Sequence, residues 1–429
     1  MEYIRALFGL LFLVLLAWVF SSDRKNINWR LVAGGLLLQI SLGVLINWVE
    51  PVAYAFGWAS RFFVKIIDFT EAGTRFLFGD LVIDKVGTIF ALKALPTIIF
   101  FSTLSAGLHY MGILQKIVYG FAWLMSKTMR LSGAESLSAA GNIFLGQTEA
   151  PLMVRPFIPS MTRSELMCLM TGGMATIAGS VLATYVAFLG GPDRELQQQF
   201  ASFLLMASVM NAPAAIVMAK VIVPEKDTEM LQRSLVISSE KTGVNLIDAL
   251  ARGAADGLRL AFNVGAMLLA FIAIIAALNY LLKGVVGELT GLNAIIVAAT
   301  AGVFDGLSLE YLMGNLFRGL AWAVGVDWSE TLQVGSLLGK KIVVNEFVAY
   351  LDLAAMKQQN MLNDKSLVIS TFALCGFANF SSIAIQIGGI GGMAPERQGD
   401  ISKLGMRALL GGTLATLLTA TLAGVLVAG

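Results

Sequence analysis

The sequence predicts an all-α polytopic membrane protein with eight transmembrane helices, two re-entrant helical hairpins, and an inverted repeat containing two broken helices. Three observations predict it. Of 429 residues, 57% are hydrophobic and 14% charged, against roughly 25% charged in soluble domains, and the mean hydropathy is +0.77. The apolar residues gather in charge-poor runs of about 20, the length that crosses a hydrocarbon core, rather than in the interrupted pattern of one water-soluble core. Finally, two shorter segments each carry a carboxylate in apolar surroundings, and each is followed by a span with the same small-polar motif.

This composition excludes a soluble enzyme. A net charge of +2 with scattered basic residues leaves no footprint for a nucleic acid. Cys168 and Cys375 lie inside apolar runs without metal-ligand spacing and read as buried thiols. The single His109 has no clustered partner, and neither HExxH nor GxSxG occurs. Gly335-Ser336-Leu337-Leu338-Gly339-Lys340-Lys341 resembles a phosphate loop only superficially, because the glycine spacing is one residue short and Lys341 stands where Ser or Thr belongs.

The charge-poor runs are 4–20, 31–49, 91–125, 164–191, 200–222, 260–283, 366–392 and 405–428. The first is too long for the apolar part of a signal peptide and is followed by Ser21-Ser22-Asp23, so it reads as a membrane helix. Arg24, Lys25 and Arg30 put the next loop in the cytoplasm and the N-terminus outside. Residues 53–80 mix aromatics with Arg61, Lys65, Asp68, Glu71 and Arg75, too charged to span and suited to the interface. On the same rule Lys127 and Arg130, Arg155 and Arg163, the group Lys226, Arg233, Lys241 and Arg252, and Arg397, Lys403 and Arg407 are cytoplasmic. Gly190-Gly191-Pro192 and Gly429 are then outside.

That orientation closes only if residues 131–156 and 329–356 enter and return on one side. They hold Glu149 and Glu346, and a carboxylate at membrane depth must face protein or water. Two half-helices of about 10 residues, each about 15 Å long, reach the middle of a core roughly 30 Å thick. The span after the first hairpin contains Gly173-Met174-Ala175-Thr176-Ile177-Ala178-Gly179-Ser180, and the span after the second contains Gly376-Phe377-Ala378-Asn379-Phe380-Ser381-Ser382. Both read Gly-x-Ala-polar-apolar-small-small and enter from opposite sides, as in the inverted repeats of secondary transporters. Such clusters either let a helix unwind toward a ligand or simply let helices pack closely.

The run Gly141-Asn142-Ile143-Phe144-Leu145-Gly146-Gln147-Thr148-Glu149-Ala150-Pro151-Leu152 resembles the first hairpin signature of the concentrative nucleoside transporters. Asn345-Glu346-Phe347-Val348-Ala349-Tyr350 and the run from Gly376 to Ser382 are similar to that family's later signatures, in the same order across the whole chain. The resemblance implies a bacterial eight-span member, a cation-coupled importer of nucleosides such as uridine and not an enzyme. It also implies a homotrimer in the inner membrane whose transport domain moves, elevator-like, against a scaffold. Four regions follow from it: 1–90, N-terminal spans and interfacial helix; 91–225, first repeat; 226–328, scaffold helix and interfacial segment; 329–429, second repeat.

By the same resemblance Gln147, Thr148 and Glu149 face the base, with Val181 on the apolar side. Glu346, Asn379 and Ser382 face the ribose with Phe377 packed nearby. These residue types suit the ligand: a base has hydrogen-bonding edges, and an ionised carboxylate accepts from two vicinal hydroxyls at once. The implied cation site comprises the Asn142 and Thr176 side chains and the Leu145 and Ile177 carbonyls, hard oxygen donors suited to sodium. Thr176 stands where the family pattern leads one to expect serine, keeping the hydroxyl and adding a methyl. In a proton-coupled version, Glu149 or Glu346 becomes neutral with substrate. The same polar groups would also suit a carrier of another small polar metabolite. An intramembrane enzyme on a lipid-linked substrate could use paired carboxylates too, but the sequence offers it no metal or nucleophile constellation. No organic cofactor is implied, and Lys340 and Lys341 receive no role.

Overall fold

The computed structural model describes residues 2–82, 90–227 and 243–427, with a few isolated positions between 229 and 235. Arg233, Lys241 and Gly429, used above for orientation, lie outside the described residues. Among those described, every regular element is helical, and the chain is a multi-pass membrane protein.

Helices α1 (Glu2–Val19) and α2 (Trp29–Trp48) are followed by α3 (Glu50–Phe78), a single 29-residue helix with Pro51 in its first turn. Its Trp58, Phe62, Phe69 and Phe76 are exposed while Ser60, Val64, Thr70 and Thr74 are buried, the two-faced pattern expected for an interfacial element. Lys226 lies 2.7 Å from Asp23 in the loop between α1 and α2 and holds that carboxyl at about 2.

The expected span 91–125 is two helices. α4 (Phe90–Tyr110) stops at Gly112, whose φ of +74° ends the helix in the left-handed conformation, and α5 (Ile113–Met129) leaves at 79°. Hairpin 1 follows as α6 (Gly133–Gly141), a turn over residues 142–149, and a 3-10 arm, Ala150–Ser160. Pro151, Pro156 and Pro159 deny that second arm the donors and φ freedom of an α-helix. The first broken helix is α7 (Arg163–Ala175) and α8 (Gly179–Gly190), and α9 (Arg194–Ile222) runs back beside it.

The next described stretch comprises α10 (Leu246–Asn279), a π-helical stretch (Tyr280–Gly287), α11 (Glu288–Thr290), α12 (Leu292–Ala299) and α13 (Leu309–Ala323). Hairpin 2 is α14 (Thr331–Val343) and α15 (Glu346–Gln358), turning at Val344-Asn345. The second broken helix is α16 (Asp364–Leu374) and α17 (Phe380–Met393), and α18 (Gln398–Leu426) closes the fold. Each hairpin's arms pack on each other, and α18 and α9 pack on the broken helices.

Six helical segments are long and apolar enough to cross a bilayer among the described residues, and the bent α4–α5 pair makes a seventh. The remaining expected span, 366–392, is divided into helices of 11 and 14 residues, as the first broken helix is divided into 13 and 12. The α7–α8 span is wholly buried, whereas the segment Leu246–Thr290 that begins with α10 is only 22% buried, so the first broken helix lies at the centre and α10 on the outside.

The two lysines without a sequence-based role both have partners. Lys340 pairs with Asp352 on the opposite arm of its hairpin and with Glu310 of α13 at 2.8 Å. Lys341 donates to Ala373 O at 2.8 Å and Thr416 Oγ1 at 3.0 Å. The glycines of the phosphate-loop lookalike lie inside α14. A Cβ on Gly335 would meet Gly314 O at 2.6 Å, and one on Gly339 would run into Met313 Cβ, so they permit close packing against α13. Both cysteines are free and buried.

Candidate functional site

Short local signals start four of the helices around the site. Ser132 with Glu135 and Thr162 with Glu165 form reciprocal capping boxes that start α6 and α7. Asn345 caps α15 by accepting from Val348 N at 3.0 Å, which places Glu346 in the first turn, where the helix dipole favours a carboxylate. Asn379 caps α17 in the same way, its Oδ1 accepting from Ser382 N at 2.9 Å. The polar residues of the second hairpin and second break are thus delivered to helix starts, while Asn142 and Thr176 stand at the C-terminal ends of α6 and α7.

Asn211, in the buried middle of α9, joins the two breaks. Its Nδ2 donates to Ala175 O at 2.7 Å and to Cys375 O at 2.8 Å, the carbonyls where α7 and α16 unwind. Phe377 N donates to Thr176 O at 3.3 Å. Two unwound segments therefore satisfy each other's backbone inside protein, the condition for irregular chain at membrane depth.

Four of the eight expected ligand residues form one continuous hydrogen-bonded chain. Gln147 Nε2 donates to Ser382 Oγ at 3.0 Å, Ser382 N to Asn379 Oδ1, and Asn379 Nδ2 to Glu346 Oε2 at 3.0 Å. The other Glu346 oxygen accepts from Tyr185 at 2.8 Å. Glu346 is 5% exposed, and among the described residues no basic side chain forms an ion pair with it. Tyr185 stacks on Tyr350 with ring centroids 4.4 Å apart, and Phe347 meets it edge-on at 5.3 Å, so an aromatic cluster fixes the Glu346 end.

The remaining four lie around this chain. Val181 is buried on α8 one turn before Tyr185, and Phe377 is half-buried at the second break. Thr148 is exposed at the hairpin tip. Glu149 turns onto its own hairpin, accepting from Gly146 N at 3.3 Å.

The expected cation ligands cluster where hairpin 1 meets the first break. Asn142 Nδ2 donates to Ser138 O at 2.9 Å and Thr176 Oγ1 to Gly172 O at 2.9 Å, and the Asn142 amide also lies against Gly172. Asn142 is fully buried, yet its Oδ1 has no hydrogen-bond partner, and among the described residues no hydrogen bond reaches the Leu145 or Ile177 carbonyl. Buried oxygens left without donors are the chemistry a small hard cation satisfies.

Tyr185, Gln386 and Asn211 were missed by sequence reasoning. Tyr185 and Gln386 each stand four residues beyond an expected ligand, Val181 and Ser382, hence on the same helix face. Asn211 is a lone amide in an apolar run, with no motif to mark it.

Comparison with known proteins identifies the family. The family model described as "Na+ dependent nucleoside transporter C-terminus" matches residues 203–424, its N-terminal counterpart matches 8–81, and a "Nucleoside recognition" model matches 91–192. An uncharacterized transporter of Haemophilus influenzae is 42% identical, covering all of this chain and 98% of the relative. Human sodium/nucleoside cotransporter 1 is 37% identical over 97% of this chain, which spans 63% of that longer protein. The structure of CNTnw in an inward-facing substrate-bound state superposes with a TM-score of 0.89 at 41% identity, covering all of this chain and 98% of the other. The hairpin pair, the two broken helices and these matches together place the chain in the concentrative, Na+-dependent nucleoside transporter family.

Proposed function

We propose that the chain is a sodium-coupled symporter that imports nucleosides, uridine among them. The observation that carries the reading is the continuous chain Gln147–Ser382–Asn379–Glu346, which presents amide groups at one end and a buried carboxylate at the other. A base edge needs the first and a pair of vicinal ribose hydroxyls the second, and charge-assisted bonds to Glu346 are the stronger contacts. Thr148 and Glu149 extend the base side of the site, and Val181 and Phe377 supply its apolar wall. Sodium occupies the oxygen cluster of Asn142, Thr176, Leu145 and Ile177; the unpartnered Asn142 Oδ1 supports this over coupling through a proton on Glu149 or Glu346.

Movement follows from the domain assignment. The two hairpins and their broken helices carry the site, and the outward-facing α10 lies in region 226–328, so the hairpins and broken helices slide as an elevator past a fixed scaffold that includes α10. The broad exposed surface of α10, with Leu258, Phe262, Leu269 and Ile272, suits a homotrimeric scaffold in the inner membrane, with both termini outside the cytoplasm. Radiolabelled uridine uptake into proteoliposomes, with and without a sodium gradient at fixed pH and potential, tests the reading. Accumulation that follows a proton gradient and ignores sodium overturns it.

A further inference from the structure

Gln386 lies on α17, one turn beyond Ser382 and fully buried. Its Nε2 donates to Met170 O of α7 at 3.0 Å and to Gln147 Oε1 at 3.2 Å. A backbone carbonyl only accepts, so the amide nitrogen of Gln386 must face Met170. The second hydrogen on that nitrogen then needs an acceptor, which obliges Gln147 to turn its oxygen toward Gln386. What remains to Gln147 is its Nε2, a donor, one hydrogen of which goes to Ser382 Oγ at 3.0 Å. Ser382 cannot set this sense itself, because a hydroxyl both donates and accepts and rotates freely. Gly173 makes the arrangement possible: a Cβ there would come within 2.9 Å of Gln147 Cβ and 3.0 Å of Gln386 Nε2.

From this polarity we infer that Gln386 is a specificity-positioning residue: anchored on the Met170 carbonyl, it locks the Gln147 amide as a hydrogen-bond donor and so selects a nucleobase edge that offers an acceptor there. The inference rests on the proposed placement of Gln147 against the base. Uridine and cytidine are the natural probes, because uracil presents N3–H and O4 where cytosine presents N3 and an N4 amino group, donors and acceptors exchanged.

Two substitutions test it, each in the purified full-length protein by calorimetry. Gln386→Met removes both donors and frees the Gln147 amide to turn. Gln386→Glu reverses the sense: ionised, it only accepts, and protonated, its single proton goes to Met170 O, so Gln147 must present its nitrogen to residue 386 and its oxygen to the base. The uridine-to-cytidine affinity ratio should move toward unity by threefold or more in the first and toward the disfavoured nucleoside by tenfold or more in the second. The ratio of uridine to 2′-deoxyuridine should stay within twofold of wild type in both. A base ratio within twofold of wild type in folded Gln386→Met, or complete loss of nucleoside binding by that variant, overturns the relay, and Gln386→Met decides alone where Gln386→Glu does not fold. Gln147→Ala separates the levels. If it leaves the base ratio untouched, the placement of Gln147 itself is wrong; if it shifts the ratio and Gln386→Met does not, only the relay fails.

Discussion

Tyr185 donates its hydroxyl hydrogen to Glu346 Oε1 at 2.8 Å, a bond that joins the first broken helix to the second hairpin. It leaves Glu346 oriented, with Asn379 on its other oxygen, before any ligand arrives. Tyr185→Phe keeps the stack on Tyr350 and removes one oriented donor to a charged acceptor. The expected loss is about 1.5 kcal/mol of nucleoside binding, roughly tenfold in affinity, read by calorimetry with uridine. The same change made on top of Glu346→Gln should cost much less, since the partners share one interaction; fully additive losses would show that Tyr185 acts elsewhere.

Glu346→Gln preserves shape and removes the charge that, in the proposed site, would strengthen two ribose contacts. Uridine affinity should fall by about 2 kcal/mol or more, roughly thirtyfold, in a protein that remains folded. Deleting ribose hydroxyls from the ligand should then matter less in the variant than in wild type. Unchanged uridine affinity in the variant would remove Glu346 from the site.

Much of this architecture was legible because membranes write it plainly: charge-poor runs report spans, and Glu149 and Glu346 mark the hairpins because a carboxylate at depth demands a reason. The contacts of Lys340 and Lys341 were not legible, since their partners, Glu310, Asp352, Ala373 and Thr416, are brought near only by tertiary packing. The bend at Gly112 was hidden for a different reason. Hydropathy continues through it, while one left-handed residue redirects the chain. Glu149 shows the limit on the site itself, because its motif says that it matters while its contact with Gly146 N depends on the turn conformation.

Lys220 is buried at the base of hairpin 1, paired with Glu135, 3.2 Å from Glu225, and donating to Ser164 Oγ at 3.0 Å. It ties α9 to the capping box of α6 and to the start of α7. Lys220→Met leaves Glu135 as an uncompensated buried charge, which should destabilise the fold by about 3–5 kcal/mol. Adding Glu135→Gln removes that stranded charge, so the double variant should regain at least half of the lost melting temperature in detergent. Equal melting temperatures for the single and double variants would mean that Lys220 contributes by packing its stem and not by pairing.

The last expectation concerns the coupling ion. Asn142 lies at the end of α6 and Thr176 at the first break, and both side chains meet at Gly172. A cation held between them fixes the hairpin turn against the break, and that same turn presents Gln147 to Ser382. Sodium should therefore raise nucleoside affinity by ordering the site, and linkage requires that nucleoside raise sodium affinity by the same factor. A tenfold effect corresponds to about 1.4 kcal/mol of coupling. Thr176→Val keeps the shape at the break and removes the hydroxyl. It should raise the sodium concentration needed for half-maximal uridine binding while leaving uridine affinity at saturating sodium nearly unchanged. Titrating sodium at several fixed uridine concentrations, and the reverse, measures both sides of the linkage on one preparation. Equal sodium dependence in Thr176→Val and wild type would take the ion away from this cluster, and a uridine affinity that follows pH and not sodium would move coupling to Glu149 or Glu346.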